Sequence, residues 1–227
     1  MNKYSTNFHS KLLKYTVEKT KLFYTKGNCL VCGPSIKGEV EKELSNYYDR
    51  IICIDKEKSI LDELKNNVKS NKFELIEDDL EALDLKKLGN IKFDTILALH
   101  ILEHLDNPIN FLKTLKSLLI DKGKIIIVVP NAESLHRYLG VKMGIIKTIY
   151  DLGKEDIRVG HKKVYDMYSL NKIANSSDLR VHDIIGIFVK PFHNDLMEKL
   201  PKNILDGLNE MSNEFDNNCA DILMVGR

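Results

Sequence analysis

The stretch Phe93-Asp-Thr-Ile-Leu-Ala-Leu-His-Ile-Leu-Glu-His-Leu-Asp-Asn-Pro108 decides the fold. Its first half, Phe93 to Ala98, is a short apolar run behind a hydrophilic loop, the pattern of a strand buried on both faces. From Leu99 to Asp106 the spacing predicts one helical turn with His100, Glu103 and His104 on one side. Asn107 is a helix cap and Pro108 fits the first turn of the next helix. Three ionisable groups are thus expected just past the carboxyl end of a central strand, the edge where open α/β sheets bind ligands.

The surroundings repeat strand and helix. Asn28-Cys-Leu-Val-Cys-Gly-Pro-Ser-Ile-Lys-Gly38 runs from a buried strand into a glycine turn, and Glu39 to Asn46 continues as helix. Arg50-Ile-Ile-Cys-Ile-Asp55 is a second strand with a carboxylate at its end, placed to accept both hydroxyls of a ribose. A glycine loop with an acidic strand end also suits a dinucleotide, so a nicotinamide-dependent oxidoreductase is the rival enzyme class. Phe73 to Glu77 is a third strand, followed by Asp78-Asp79-Leu80. Beyond Pro108, a helix over 109–120 is closed by Gly123 and followed by the β-branched strand Lys124 to Pro130. Leu179 to Ile187 is a sixth strand, and Ala220 to Gly226 closes the chain.

The central stretch resembles the fourth motif of class I S-adenosylmethionine-dependent methyltransferases. More narrowly, its Leu-Glu-His-Leu is similar to the branch containing ubiquinone-type and small-molecule or peptide-tailoring O-methyltransferases. The likeness runs from about Asn28 to Gly226. It implies a Rossmann-like sheet of seven strands, the seventh antiparallel, with helices on both faces and a helical lid. It also implies S-adenosylmethionine as cofactor, S-adenosylhomocysteine as product, and Cys32, Gly33, Ser35, Gly38, Asp55, Asp79, Leu80, Leu99 and His100 as cofactor-binding positions. Two departures stand out. The family's acidic residue two places before the first glycine is Val31 here, and the second glycine is Ser35. These keep open a non-catalytic cofactor-binding subunit.

The expected organisation is an N-terminal helical cap over 1–26 and a methyltransferase domain over 27–227, with lid insertions over 131–175 and 190–217. In the cap, Tyr4, Tyr15 or Tyr24 is expected to line the substrate lid; otherwise the helix is simply packed with a solvated basic face. Cys29 and Cys32 form a Cys-x-x-Cys spacing, but residues three apart in a strand face opposite ways, so neither a zinc site nor a redox pair follows.

Methyl transfer from a sulfonium is an in-line displacement that needs positioning above all. A hydroxyl or ammonium acceptor also needs a base, and His100, His104 and His161 are the candidates, with Tyr15 beside them. His161, on the lid, is expected to be the most damaging single loss. A metal held by His100, Glu103, His104 and His161 is the alternative, similar to metal-dependent ubiquinone-type enzymes and plant small-RNA 2′-O-methyltransferases. Those favour glutamate at the position of His100. The rim lacks the Asn-Pro-Pro-aromatic signature of nucleobase amino methylation, which favours oxygen over an N-methyltransferase reading. Net charge +1 offers no field for nucleic acid or a membrane surface. With 43% hydrophobic and 30% charged residues and no signal pattern, a cytoplasmic protein acting on a small molecule or peptide is expected.

Overall fold

Alternating strand parity sorts the apolar residues onto two faces, and this builds the molecule. The computed structural model describes residues 7–227. Tyr4 lies outside them. In chain order the elements are α1 (Asn7–Thr20), β1 (Asn28–Cys32), α2 (Glu39–Leu44), β2 (Arg50–Asp55), α3 (Lys58–Asn67), β3 (Phe73–Glu77) and β4 (Phe93–Leu99). There follow α4 (Pro108–Ser117), β5 (Leu119–Pro130), α5 (Leu135–Lys142), α6 (Lys154–Val159), α7 (Met167–Ser176), β6 (Val181–Val189), α8 (Asn194–Met197), α9 (Lys202–Glu210) and β7 (Cys219–Gly226).

Seven strands make one sheet in the order β3-β2-β1-β4-β5-β7-β6. β7 runs antiparallel to both β5 and β6, and the remaining pairings are parallel. Leu30, Cys32, Ile52, Ile54, Ile96 and Ala98 face one core with α4 and α7; Cys29, Val31, Ile51, Cys53 and Leu97 face the other with α1, α2, α8 and α9. The central strands β1, β2 and β4 are therefore largely apolar on both faces, as a sheet covered on both sides requires. The parity argument also disposes of the Cys-x-x-Cys spacing: Cys29 and Cys32 lie in opposite cores, and all four cysteines are free and buried.

The cap is a helix as expected, but its tyrosines are spent on packing. Tyr15 stacks on Phe188 at 5.0 Å and its hydroxyl donates to Asp206 Oδ1 at 3.1 Å on α9. Tyr24 shares a hydrogen bond with Thr20 and sets its ring against Tyr47 and Tyr48. The apolar stripe that predicted the helix places the Tyr15 ring against Phe188 and its hydroxyl on Asp206. Gly123 also differs from expectation. It is not a left-handed helix cap; a Cβ there would meet the Phe93 carbonyl oxygen at 2.7 Å, so the glycine permits a close backbone crossing.

Within the insertion after β5, α5 meets β7, whereas α7 packs beside α4 and serves as the crossover helix into β6.

Candidate active site

The strand ends set out the cofactor edge. Gly33 ends β1 with φ +68°, and its N–H donates to the Ile54 carbonyl at 2.9 Å, tying the ends of β1 and β2. A Cβ on Gly33 would fall 2.2 Å from Ile101 Cδ1, so the loop passes under the central stretch with no room for a side chain. Gly38, also left-handed, caps α2. Asp55 closes β2, half-buried, with Oδ1 accepting the Glu57 N–H at 2.7 Å. Burial raises its pKa against that hydrogen bond. Asp79 is exposed and accepts the Glu81 N–H at 2.9 Å, a local turn that leaves its other oxygen outward. Its neighbour Asp78 is engaged by Lys87, so Asp79 is the one left to a ligand. Leu80 and Leu99 pack at the rims of the two cores, and Cys32 is fully buried with burial pushing its thiol up. A cradle closed to any Cβ and two carboxylates beyond successive strands fit a nucleoside-bearing cofactor.

The central stretch departs from the expected single turn. The His100 N–H still donates to the Val128 carbonyl at 2.8 Å, so strand pairing continues through it, and His100 has φ +56°. Only Leu102–His104 coil, as a 3₁₀ turn. His100 is thereby swung to one side of Glu103 and His104 to the other. Its Nδ1 lies 3.4 Å from Glu103 Oε1 and its Nε2 3.8 Å from Asp221 Oδ2. Asp221 reaches this edge because antiparallel β7 places it opposite Pro130, at the end of β5. Burial opposes the charge on His100, but Asp221 and then Glu103 outweigh it and lift its pKa to about 9. Burial pushes Asp221 up as well; the proton of the pair resides on the more basic imidazole. The two carboxylates favour the charged imidazolium form of His100. The ligand atoms of Glu103, His104 and His161 come together, and His100 is not one of that group.

The lid completes the other side. Residues 160–165 are stitched along the central stretch: the Lys162 N–H donates to the Glu103 carbonyl at 2.8 Å and the Tyr165 hydroxyl to the Leu102 carbonyl at 3.1 Å. His104 Nδ1 lies 3.1 Å from the Gly160 carbonyl, which can only accept. The proton is therefore on Nδ1, and Nε2 carries the lone pair. Burial lowers the His104 pKa, so this ring is neutral at physiological pH. His161 Nδ1 meets Asp156 Oδ1 at 3.1 Å while Nε2 faces Glu103 Oε1 at 3.9 Å. The two imidazoles meet edge to face, 4.8 Å between centroids. Glu103 is fully buried, and neither of its carboxylate oxygens has a hydrogen-bond partner. One ligand atom from each of Glu103, His104 and His161 lies within 4.8 Å of the others.

Five further residues, Arg137, Asp156, Lys190, His9 and Asp221, escaped the sequence reading. Arg137 is buried and pins the lid: Nε donates to the Ile149 carbonyl at 2.8 Å, one terminal nitrogen to Asp156 Oδ2 at 3.0 Å and the other to the Asp151 carbonyl. Against burial, His161, the Gly153 N–H and Arg137 hold the Asp156 carboxyl well below its usual range. Lys190, just past β6, is lowered to about 8 by burial against the pull of Asp221 and Asp156. His9 on α1 is lowered to about 4 by burial and then by His100, Lys190 and Lys37. His9 had no signal beyond its helix. For Asp221, the acidic residue inside an otherwise apolar closing strand was the available sign.

A family model described as "Methyltransferase domain" matches residues 32–184. A search of curated proteins gave no match. Among solved structures, the chain is similar to an S-adenosylmethionine-dependent methyltransferase from Mesorhizobium loti, at 11% identity and a TM-score of 0.62 over 88% of this chain and 90% of that one. It is likewise similar to one from Archaeoglobus fulgidus, at 18% identity and 0.62 over 95% and 93%. DhpI, in a complex with SAM and HEP, matches at 12% identity and 0.61 over 98% and 88%. At such identities these structures establish the fold, while the family model establishes membership. With a mixed seven-stranded sheet and this match over residues 32–184, the chain belongs to the methyltransferase domain family and is an S-adenosylmethionine-dependent methyltransferase.

Proposed function

We propose that the chain methylates an oxygen, as hydroxyl or carboxylate, on a small molecule or peptide. The observation that carries this is the corner formed by Glu103, His104 and His161, where a neutral imidazole with its lone pair on Nε2 stands beside a buried carboxylate faced by the imidazoles of His100 and His161. S-adenosylmethionine supplies an electrophilic methyl group on a sulfonium. The Gly33 turn, Asp55 and Asp79 orient it at the strand ends; the lid excludes water; and His104 Nε2 or His161 accepts the proton from a hydroxyl acceptor. A carboxylate acceptor needs no base, and the same groups then only position it. The imidazolium of His100 and the ammonium of Lys190 offset the charge of Glu103 and Asp221, so an anionic acceptor can approach. Four buried free thiols support a cytoplasmic placement.

The test is mass spectrometry of candidate hydroxyl and carboxyl acceptors incubated with deuteromethyl-labelled cofactor, followed by mild alkaline hydrolysis. Label on oxygen is expected, with hydrolysis separating ester from ether. Label on nitrogen overturns the reading.

The orphaned Glu103 carboxylate favours a second reading, in which Glu103, His104 and His161 hold a divalent cation. The Asp156 contact to His161 and the Gly160 contact to His104 are the outer hydrogen bonds that orient ligating imidazoles. A cation there would act as a Lewis acid on the acceptor oxygen. Calorimetric titration with zinc, manganese and magnesium, on the parent and His104→Ala, checks it. Failure of all three to bind, or binding unchanged in the variant, dismisses the metal.

A further inference from the structure

The two departures of the glycine loop from the family pattern, Val31 and Ser35, are joined by a residue outside the loop. Glu41 is three residues into α2 and has no exposed surface. Both of its oxygens turn back onto Ser35: Oε1 accepts the Ser35 N–H at 3.0 Å, and Oε2 accepts the Ser35 hydroxyl at 2.5 Å. The Ser35 carbonyl in turn accepts the Gly38 N–H at 3.0 Å, and the Gly38 carbonyl accepts the Lys42 N–H at 2.9 Å. The turn is thus closed from below, between left-handed Gly33 and left-handed Gly38. Among the described residues Glu41 has no ion pair, so Ser35 is what it is buried for.

We propose that Glu41 is a positioning residue for the cofactor: it clamps the 33–38 turn through Ser35 and so fixes the backbone groups that face S-adenosylmethionine. A glycine at 35 would give the carboxyl group only an N–H; serine adds the hydroxyl that engages the second oxygen. The acid missing at position 31 is thus answered by an acid that reaches the same loop from the helix behind it. Burial raises the Glu41 pKa to about 7 against the two Ser35 hydrogen bonds. Either protonation state preserves the clamp, because the neutral acid can accept the N–H with its carbonyl oxygen and donate its O–H to Ser35 Oγ. Amide geometry can do the same, which makes glutamine the informative substitution.

The inference rests on this edge being the cofactor site, so Asp55→Ala serves as the control. S-adenosylhomocysteine binding is measured by calorimetry on the full chain, with hydrogen exchange of the Ser35 amide as a second readout. Glu41→Leu should bind about tenfold or more weakly and lose Ser35 protection, since two hydrogen bonds to a charged group are gone. Glu41→Gln should stay within about threefold of the parent, and Ser35→Ala should fall between. Binding by Glu41→Leu within about twofold of the parent, or Glu41→Gln as weak as Glu41→Leu, overturns the proposal. Should Glu41→Leu not fold, parent-like binding and parent-like amide exchange in Ser35→Ala overturn it instead. Parent-like binding in Asp55→Ala strikes the cofactor-edge reading, whereas Ser35 exchange still reports whether Glu41 holds the turn.

Discussion

Asp221→Asn should strip His100 of its charge at physiological pH. The carboxylate sits 3.8 Å from His100 Nε2 with almost no solvent contact. At an effective dielectric of about 20, that separation corresponds to an attraction of roughly 4 kcal/mol. The lift of the His100 pKa from 6.5 to about 9 corresponds to about 3 kcal/mol, burial having taken back the difference. Removing Asp221 therefore removes enough to return His100 to its ordinary value or below, with Glu103 left to oppose burial alone. The sign of the stability effect follows. A histidine whose folded pKa is raised contributes stability fully present below pH 6.5, lost as the pH climbs through about 9. The parent should lose about 3 kcal/mol over that window, and the variant should lose almost none. Nitrogen NMR of the imidazole and urea unfolding at several pH values between 6 and 9 provide the assay. An imidazole still titrating near pH 9 in Asp221→Asn, or a parent stability flat over the window, would refute the reasoning.

Asp55→Ala should weaken S-adenosylhomocysteine binding by about 1.5–3 kcal/mol, measured by calorimetry, and stronger binding of NAD than of this product would contradict the assignment of that edge. Arg137→Leu leaves Asp156 buried without its cation and should destabilise the chain by about 3–5 kcal/mol. Hydrogen exchange should quicken over 135–161 ahead of the sheet, and uniform exchange across the chain would count against the pin. The lid should also become more protected when cofactor and acceptor bind, because closure excludes water.

The sheet was legible because the central strands β1, β2 and β4 and the second half of β5 are short apolar runs, and several turns carry their own signal. Asn107 and Pro108 are an example: the Asn107 side chain accepts the Asn110 N–H at 3.1 Å, as its place before the helix implied. The acid–base corner was legible only in part. Local spacing could bring Glu103 and His104 together, but it treated His100 as a third member of the same turn. Strand pairing to Val128 carries His100 past the strand end and away from that turn, and β7 then supplies its partner from 121 residues on in sequence (221 less 100). Neither pairing has a local signature. The same holds for Arg137, whose acceptors are the Ile149 and Asp151 carbonyls before α6 and the Asp156 side chain on it. Tyr15 was open for the opposite reason: an aromatic on an amphipathic face suits a lid and a packing contact equally, and the structure sets it on Phe188 and Asp206.

The central claim, that the corner under the lid receives the acceptor while the strand ends hold the cofactor, is tested most directly by His161→Ala. This substitution removes a group held by Asp156 and facing Glu103, and it leaves Gly33, Asp55 and Asp79 untouched. The decisive measurement is single-turnover methyl transfer to the acceptor found by mass spectrometry, set beside S-adenosylhomocysteine affinity for the same preparation. The account expects parent-like affinity with transfer to a hydroxyl slowed by roughly 10²–10⁴, and a smaller loss, nearly independent of pH, for a carboxylate. Turnover close to the parent's in His161→Ala, on the true acceptor, would contradict it.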